Sequence, residues 1–214
     1  RLISSAASDV YKRQFQMNEK DLTIFKSFED ICRKTPSAPF LISPSRNQKG
    51  MTTFSYQETF EKANKISTIF LDNGYGNNLR VATLLGSTPA HYIVKLALNK
   101  IGVSVVPINP DYSPDETAYL LADSGSVLAI CAEHYMKQLK TAIAYKDLSV
   151  PIVTYDEIET IQTLKPLSDL GAQVHGKTEA SLLYTSGTTG RPKGCILSHE
   201  YEPVSYTHLT LPTR

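Results

Sequence analysis

Apolar positions along this chain form two patterns, and each pattern predicts one kind of element. Residues 22–34 carry Phe25, Phe28, Ile31 and Cys32 at helical spacing, which predicts a helix with one apolar face. Further helices are predicted over residues 55–73, 89–100 and 133–144, and from residue 113 onward. Short apolar runs predict strands at residues 40–42, 80–85, 102–107, 127–131, 152–154, 181–185 and 194–198.

Two of the helix starts are marked by a local signal. Residues 55–58 read Ser-Tyr-Gln-Glu and residues 113–116 read Ser-Pro-Asp-Glu. Each is a capping box, in which the serine hydroxyl accepts from a free amide of the first turn and the glutamate reaches back to the serine amide. Proline is tolerated at the first helical position of the second box. The first of these helices is predicted to stop at Gly74.

Predicted strands and helices alternate through most of the chain. Polar segments separate them, including a turn at residues 43–50 and a loop at residues 166–177. This alternation is typical of a sheet whose neighbouring strands are joined through helices. We therefore expect an α/β fold with a mostly parallel sheet and flanking helices.

Composition narrows the functional classes. The 214 residues carry a formal net charge of +1, which gives no reason to expect a nucleic-acid or anionic-membrane partner. No apolar stretch has the length of a membrane span. Cys32, Cys131 and Cys195 are odd in number and far apart, which argues against a disulfide framework and fits a reducing compartment such as the cytoplasm. The histidines show no metal-ligand spacing with them.

Both ends of the chain have an unusual sequence. Residues 4–14 (SSAASDVYKRQ) match the translation of a transposon-type sequencing adapter, and residues 204–213 (VSYTHLTLPT) match its reverse complement in a shifted frame. We therefore predict that residues 1–14 and 204–214 derive from the adapter, with natural tails as the alternative. Residues 15–203 are then the protein itself, beginning near Met17 and continuing, in nature, past Glu202.

The strongest chemical signal is the stretch LLYTSGTTGRPKG at residues 182–194. Its glycines permit backbone angles closed to other residues, and successive amides in such a turn can form an anion-binding nest. Hydroxyl groups add hydrogen-bond donors, and a lysine adds a mobile positive charge. A polyphosphate suits this combination. The predicted phosphate-binding set is Thr185, Ser186, Gly187, Thr188, Thr189, Gly190 and Lys193.

Two other interpretations of this stretch fit less well. A run of Ser, Thr and Gly is often a flexible linker, but this one lies between two strand-like segments and contains Pro-Lys-Gly. It is also not a Walker loop, because Lys193 follows a proline and precedes a glycine. The segment after the loop is predicted to be a strand, so the helix dipole of a Walker site is not expected.

At residues 184–194, YTSGTTGRPKG resembles the signature loop of the adenylate-forming superfamily, which includes acyl-CoA synthetases, adenylation domains of peptide synthetases and luciferases. Residues 102–110 (GVSVVPINP) resemble the family's G-A-x-x-V-P-I-N-P segment, and residues 55–58 resemble its T-Y-x-E/Q helix start. Residues 197–199 resemble the T-H that follows the loop. The resemblance covers about residues 25–202. It departs at residues 77–81 (NNLRV), where the family has Gly-Asp before the arginine.

This resemblance implies an ATP-dependent, AMP-forming carboxylate–CoA ligase. In the family a carboxylic acid attacks the α-phosphorus of ATP, giving an acyl-adenylate and pyrophosphate, and a thiol such as CoA then displaces AMP. The loop is expected to hold the β- and γ-phosphates. The alternatives are a peptide-synthetase adenylation domain, a non-catalytic nucleotide-binding module or a P-loop kinase.

The chain lacks the rest of the family's site. We find no Tyr-Gly-x-Thr-Glu segment, ribose-binding aspartate, hinge or late catalytic lysine. The chain therefore corresponds to an incomplete first part of the large N-terminal domain. We expect no catalytic residue and no metal ligand within it, and we expect the Mg²⁺ ligand of the family to lie downstream. By itself it is expected to be inactive and to aggregate, because truncation leaves sheet edges unpaired.

Other candidate residues receive structural interpretations. His199 is expected to be structural and not a general base, and Cys195 is expected to be a small core residue. Tyr112 and Tyr119 are expected to pack. Asp111, Asp115 and Glu116 are interpreted as acidic residues at a helix start, not as a metal site.

Overall fold

The computed structural model describes residues 23–44, 50–161, 173–185 and 191–202. Its helices are α1 (Ile24–Lys34), α2 (Tyr56–Asp72), α3 (Pro89–Lys100), α4 (Pro114–Ser124) and α5 (Met136–Tyr145), with short 3₁₀ segments at Glu133–Tyr135 and Tyr155–Thr160. Its strands are β1 (Pro39–Pro44), β2 (Met51–Ser55), β3 (Arg80–Leu84), β4 (Ser104–Pro107), β5 (Leu128–Cys131), β6 (Ile152–Thr154), β7 (Glu179–Thr185) and β8 (Lys193–Ser198). None of the described helices is long and apolar enough to cross a membrane.

A six-stranded sheet organises the chain, with strand order β6-β5-β3-β4-β7-β8. Among the described strands, β6, β5, β3, β4 and β7 run in the same direction, and β8 runs antiparallel to its neighbour β7. Strands β1 and β2 form a separate antiparallel pair. The α/β fold with a mostly parallel sheet and flanking helices is therefore confirmed.

Helices cover both faces of this sheet. On one face, residues of α1, α2 and α3 pack with alternate residues of the central strands, such as Val81 of β3 and Val105 of β4. On the other face, Leu121 of α4 and Leu139 of α5 pack with the intervening residues, such as Ala82 and Val106. This division follows from the alternation of side chains along a strand. Helices α3 and α4, which precede and follow β4, thus lie on opposite faces.

Both predicted capping boxes form. The Ser55 hydroxyl accepts from the Glu58 amide at 3.1 Å, and the Glu58 carboxylate accepts from the Ser55 amide at 2.7 Å. The equivalent distances at Ser113 and Glu116 are 3.3 and 2.8 Å. Helix α4 ends at Gly125, whose φ of 62° lies in the left-handed region that favours glycine. Local sequence signals therefore set both boundaries of α4.

The predicted elements agree with the structure to within a few residues, but some observed elements differ. The 3₁₀ segment at Tyr155–Thr160 has no counterpart among the predictions. Strand β2 was not predicted, because the residues of MTTFS are exposed or only partly buried and show no alternating apolar face. The helix predicted over residues 133–144 begins as a 3₁₀ turn at Glu133–Tyr135 before α5 starts. The turn predicted at residues 43–50 and the loop at 166–177 lie partly outside the described residues.

Candidate functional site

The glycine-rich stretch connects β7 to β8 as the turn of an antiparallel hairpin. Thr185 pairs with Lys193, and Tyr184 pairs with Gly194. Both Thr185 and Lys193 are exposed, and residues paired across an antiparallel ladder have their side chains on the same face. We call these four residues the hairpin tip. The structure thus brings together the first and last members of the predicted phosphate-binding set.

The other predicted members are Ser186, Gly187, Thr188, Thr189 and Gly190, and they lie outside the described residues. The element after the loop is a strand, β8, as expected, and not a helix. In a Walker site the loop leads into a helix whose amino terminus binds phosphate. The described part of this loop therefore has a different architecture from that of a P-loop kinase.

An open cleft of about 710 Å³ lies beside the hairpin tip, at the carboxyl ends of β3, β4 and β7. Its lining comprises Thr83, Gly86, Ser87, His91, Tyr92, Pro107, Ile108, Asn109, Pro110, Asp111, Tyr112, Tyr135, Leu183, Tyr184 and Thr185. Ligands of open α/β sheets bind outside the carboxyl ends of the strands, where successive connections pass to opposite faces. Here the connection before β4 passes through α3 on one face of the sheet, and the connection after β4 passes through α4 on the other face. The loop thus begins at the edge where a ligand is expected.

The opposite end of the hairpin, which we call the hairpin base, comprises Glu179 and Ser181 of β7 together with His199 and Glu202. Arg80 of β3 holds Glu179 through two hydrogen bonds, from Nε to Oε1 at 2.7 Å and from an η-nitrogen to Oε2 at 2.9 Å. The Ser104 hydroxyl donates to Glu179 Oε1 at 2.7 Å. Burial alone would raise the pKa of Glu179, but the hydrogen bonds from Arg80 and Ser104 outweigh it and the pKa is lowered.

A buried ion pair fixes the other side of the hairpin base. The Nζ atom of Lys95, on α3, lies 2.9 Å from Oε1 and 2.8 Å from Oε2 of Glu202, and it donates to Ser181 Oγ at 2.6 Å. The side chains of Lys95 and Glu202 are only 11% and 4% exposed. Burial lowers the pKa of Lys95, although the charge of Glu202 opposes this. The pair therefore ties the segment after β8 to the middle of α3.

His199 is fully buried, and its Nδ1 accepts a hydrogen bond from the backbone amide of Ile24 at 3.3 Å. Ile24 is the first residue of α1, so this bond satisfies an amide that has no partner within the helix. Burial, followed by the charge of Lys95, lowers the pKa of His199 to about 4. The same two causes lower the pKa of His91 to about 4. The structural role predicted for His199 is confirmed.

Near the tip, two residues that flank the loop contact α4. The Tyr184 hydroxyl donates to Asp123 Oδ2 at 2.6 Å, and the Tyr119 hydroxyl donates to Asp123 Oδ1 at 3.4 Å. The guanidinium of Arg191 lies 5.2 Å from the centroid of the Tyr119 ring. Sequence patterns predicted that Tyr119 packs, which its edge-on contact with Tyr184 confirms, but they did not single out Asp123 or Arg191.

Gly194 explains how Tyr184 reaches α4. A Cβ atom at position 194 would lie 3.0 Å from Leu182 Cδ1 and 3.4 Å from Cζ of Tyr184. The first distance is tighter than nine in ten real contacts of a Cβ atom, so a larger residue at position 194 would push the Leu182 side chain aside by a few tenths of an ångström. The last glycine of the sequence motif therefore makes room for a neighbouring aromatic ring.

The prediction for Cys195 is wrong, because this residue is exposed. It lies in an apolar run, which suggested burial, but β8 ends the strand order of the described sheet and all of its first four residues are exposed.

Glu116 completes a capping box, and Asp115 pairs with Lys146 at 3.3 Å. Tyr112 packs against the apolar cluster on the α4 face. Within the described residues, no cluster of His, Cys, Asp and Glu could hold a metal ion.

Known proteins resemble this chain in sequence and in fold. The family model described as AMP-binding enzyme matches residues 28–210. Tyrocidine synthase 2 of Brevibacillus parabrevis is 28% identical over 180 residues, which cover 84% of this chain and 5% of that protein. Gramicidin S synthase 2 of Brevibacillus brevis is 28% identical over 189 residues, which cover 88% of this chain and 4% of that protein.

Among solved structures, Mycobacterium tuberculosis fatty acyl CoA synthetase has a TM-score of 0.71 at 22% identity, covering 86% of this chain and 36% of that one. At this level of identity the likeness establishes a shared fold. The chain spans about a third of the synthetase and about a twentieth of the two curated relatives.

Proposed function

We propose, because the chain belongs to the AMP-binding enzyme family, that it is part of an ATP-dependent ligase that activates a carboxylic acid. A carboxylate oxygen forms a bond to the α-phosphorus of ATP, the bond from that phosphorus to the bridging oxygen breaks, and pyrophosphate leaves. A thiol then attacks the acyl carbon of the adenylate and releases AMP. The observation that carries this proposal is the family match across β7, the loop and β8, beside a cleft at the carboxyl edge of the sheet.

In this proposal the loop holds the β- and γ-phosphates, which leave as pyrophosphate. The residues involved are Thr185, Ser186, Gly187, Thr188, Thr189, Gly190 and Lys193. Support comes from the pairing of Thr185 with Lys193 at an exposed tip, which puts a hydroxyl and a positive charge on one face. Donors that are held in place before the reaction stabilise charge that builds up on a leaving group. They also fix the in-line geometry of the attack.

Magnesium is expected with ATP in this reaction class, where it neutralises phosphate charge. The described residues do not offer a cluster of three carboxylate, histidine or cysteine ligands. Magnesium binds through one or two carboxylates together with substrate phosphates. We therefore assign no residue of this chain to the metal, and no step above depends on one.

Two thiol acceptors are considered. We propose CoA, as in acyl-CoA synthetases. The alternative is the carrier-bound thiol of a peptide synthetase, which the similarity to tyrocidine synthase 2 and to gramicidin S synthase 2 favours. Incubating the full-length protein with ATP, an accepted acid and either CoA or a pantetheinylated carrier protein, followed by mass spectrometry, separates them. A thioester on CoA alone supports the first, and one on the carrier alone supports the second.

The cellular setting and the ends of the chain are also proposals. The cysteine pattern supports a cytoplasmic enzyme. Residues 1–14 and 204–214 are proposed to be adapter-derived and lie outside the described residues. The intact gene from the same source decides this, since it would lack both segments. Residues 15–203 alone are proposed to be inactive, and exposed Leu183, Cys195 and Ile196 on β7 and β8 support a tendency to aggregate.

The ligase proposal is tested by ATP–pyrophosphate exchange in the full-length protein with a panel of carboxylic acids. We expect exchange that depends on the acid. We also expect Thr188→Val and Lys193→Met to lower it by roughly 10²-fold. Lys177→Met is the matched control, because Lys177 is also exposed but lies before β7, at the other end of the hairpin. Absence of exchange with every acid argues against the ligase, whereas unchanged exchange in Lys193→Met argues against the loop assignment.

A further inference from the structure

Helix α4 contacts both arms of the loop that connects β7 to β8. On the incoming arm, Tyr184 donates to Asp123 at 2.6 Å. On the outgoing arm, Arg191 lies over the ring of Tyr119, 5.2 Å from its centroid. The two contacted residues of α4 are joined to each other, because the Tyr119 hydroxyl donates to Asp123 at 3.4 Å. One short stretch of helix therefore contacts the chain before and after the loop.

The position of Asp123 is unusual for an acidic residue. It lies in the last turn of α4, where the helix dipole disfavours a negative charge. Arg80 offsets this, since its guanidinium donates to the carbonyl of Ser124 at 3.1 Å while it holds Glu179 of β7. The same arginine thus braces the end of α4 against the strand that carries the loop. Arg80 therefore links the end of α4, next to Asp123, to the first residue of β7.

The protonation state of Tyr184 suits this contact. Burial, and then the hydrogen bond to Asp123, raise the pKa of Tyr184, so its hydroxyl remains a donor at neutral pH. Hydrogen bonds to a charged acceptor are stronger than those between neutral groups. A cation over an aromatic ring adds a second attraction, on the other arm.

We propose that Asp123 and Tyr119 of α4 are positioning residues that hold the two arms of the phosphate loop before ATP binds. This inference rests on the proposed function, because it assigns the loop to ATP phosphates. Residues that become ordered only when a ligand binds lose conformational entropy, and Tyr184 and Arg191 flank the proposed phosphate-binding residues. Fixing both arms beforehand reduces that loss and so favours binding.

The test uses Tyr184→Phe and Asp123→Asn in the full-length protein, because both keep the size of the side chain. Two quantities are measured: the KM for ATP in ATP–pyrophosphate exchange, and deuterium uptake of the peptide covering residues 185–193 in the nucleotide-free protein. Each variant is expected to raise the KM roughly tenfold and to speed loop exchange, with a fall in Tm too small to account for either change. The double variant is expected to be no worse than Tyr184→Phe alone, because Tyr184→Phe removes the hydrogen bond that Asp123→Asn only weakens by removing the charge of its acceptor.

Asp115→Asn is the matched control, since Asp115 lies on the same helix but pairs with Lys146 and not with the loop. It is expected to leave the KM and the loop exchange unchanged. A second pair tests the outgoing arm: Tyr119→Leu removes the ring under Arg191 and is expected to raise the KM, whereas Tyr119→Phe keeps the ring and is expected to have the smaller effect.

Any other pattern overturns the proposal. A KM that stays constant or falls in Tyr184→Phe and Asp123→Asn, or loop exchange equal to wild type, shows that α4 does not position the loop. A fall in Tm that accounts for the loss of activity shows a role in stability only. If the wild-type protein lacks acid-dependent exchange, the proposed function fails, and the deuterium uptake still decides whether α4 holds the loop.

Discussion

The two ends of the β7–β8 hairpin differ in the environment of their polar and charged side chains. At the base, Glu179, Glu202 and His199 are largely buried and are held by partners on β3, α3 and α1. At the tip, Thr185 and Lys193 are exposed. The charged groups at the base thus form internal contacts that hold the hairpin against the rest of the fold. Charge at the tip is placed where a ligand can reach it, which suggests that stability and binding are assigned to different ends of one element.

The largest expected effect of a substitution at the base is that of Lys95→Met, which leaves Glu202 buried without its cation. We expect a loss of roughly 3–5 kcal/mol in the free energy of unfolding, because removing one member of a buried ion pair is costly. The double variant Lys95→Met/Glu202→Leu is expected to recover most of this. Denaturant unfolding of the full-length protein measures both. Lys100→Met, at an exposed site on the same helix, is the control. An equal loss of stability in Lys95→Met and Lys100→Met would contradict the special role of the buried ion pair.

A pH titration of stability tests the second buried group at the base. The pKa of His199 is about 4 in the folded protein and near 6.5 when unfolded, so the unfolded chain binds more protons between these values. Stability therefore rises with pH through this window and falls as the pH drops from 6.5 toward 4. The contribution is at most roughly 3 kcal/mol.

Protonating Nδ1 of His199 would also break its hydrogen bond to the Ile24 amide. His199→Gln keeps a possible acceptor but cannot titrate, so it is expected to flatten the pH dependence of unfolding in part. The remainder is expected from His91, whose pKa is also about 4, and near the acid end of the window from carboxylates with a lowered pKa, such as Glu179. A wild-type stability that is constant between pH 4 and 6.5 would refute this prediction.

A smaller effect is expected for Arg80→Lys at the base. Lysine cannot make two parallel hydrogen bonds to Glu179 while donating to the Ser124 carbonyl, and the site is partly exposed. We expect a loss of about 1–2 kcal/mol, read from thermal unfolding. Arg33→Lys is the control, because Arg33 forms an exposed pair with Glu29 within one helix. Exposed pairs contribute at most about 1 kcal/mol.

The smallest effect on stability is expected at the tip. Thr185→Val and Lys193→Met are expected to change the free energy of unfolding by less than about 0.5 kcal/mol, because both sites are exposed. Pyrophosphate exchange is expected to fall in the same variants. Thermal unfolding and activity, measured on one preparation, show whether activity falls without a loss of stability. A loss of stability at the tip as large as that in Lys95→Met would remove the distinction between the two ends.

Local signals in the sequence were sufficient for most elements of this fold. The capping boxes at Ser55 and Ser113 depend on residues three positions apart, so four letters of sequence determine them. The strand after the loop was also predicted, which separated the loop from a Walker site. The loop residues themselves carry a recognisable motif, and their assignment to phosphate binding stays a prediction.

Long-range contacts were not predictable in this way. Lys95 and Glu202 are 107 residues apart, and nothing in either neighbourhood indicates the other. Cys195 was misjudged because an apolar run can lie in a core or along the edge of a sheet, and only the strand order distinguishes the two. For Asp123 a signal existed: an acid in the last turn of a helix opposes the dipole and so suggests a specific partner.

The hydrogen bond from Ile24 to His199 has a consequence for the order of folding. Its two residues are 175 positions apart, so the Ile24 amide at the start of α1 receives its acceptor only when His199 is in place. During synthesis from the amino terminus, α1 emerges long before His199 does. Contacts between distant parts of a chain form late, because closing a long loop costs entropy. The Ile24 amide is therefore expected to be among the last backbone groups to become protected from hydrogen exchange.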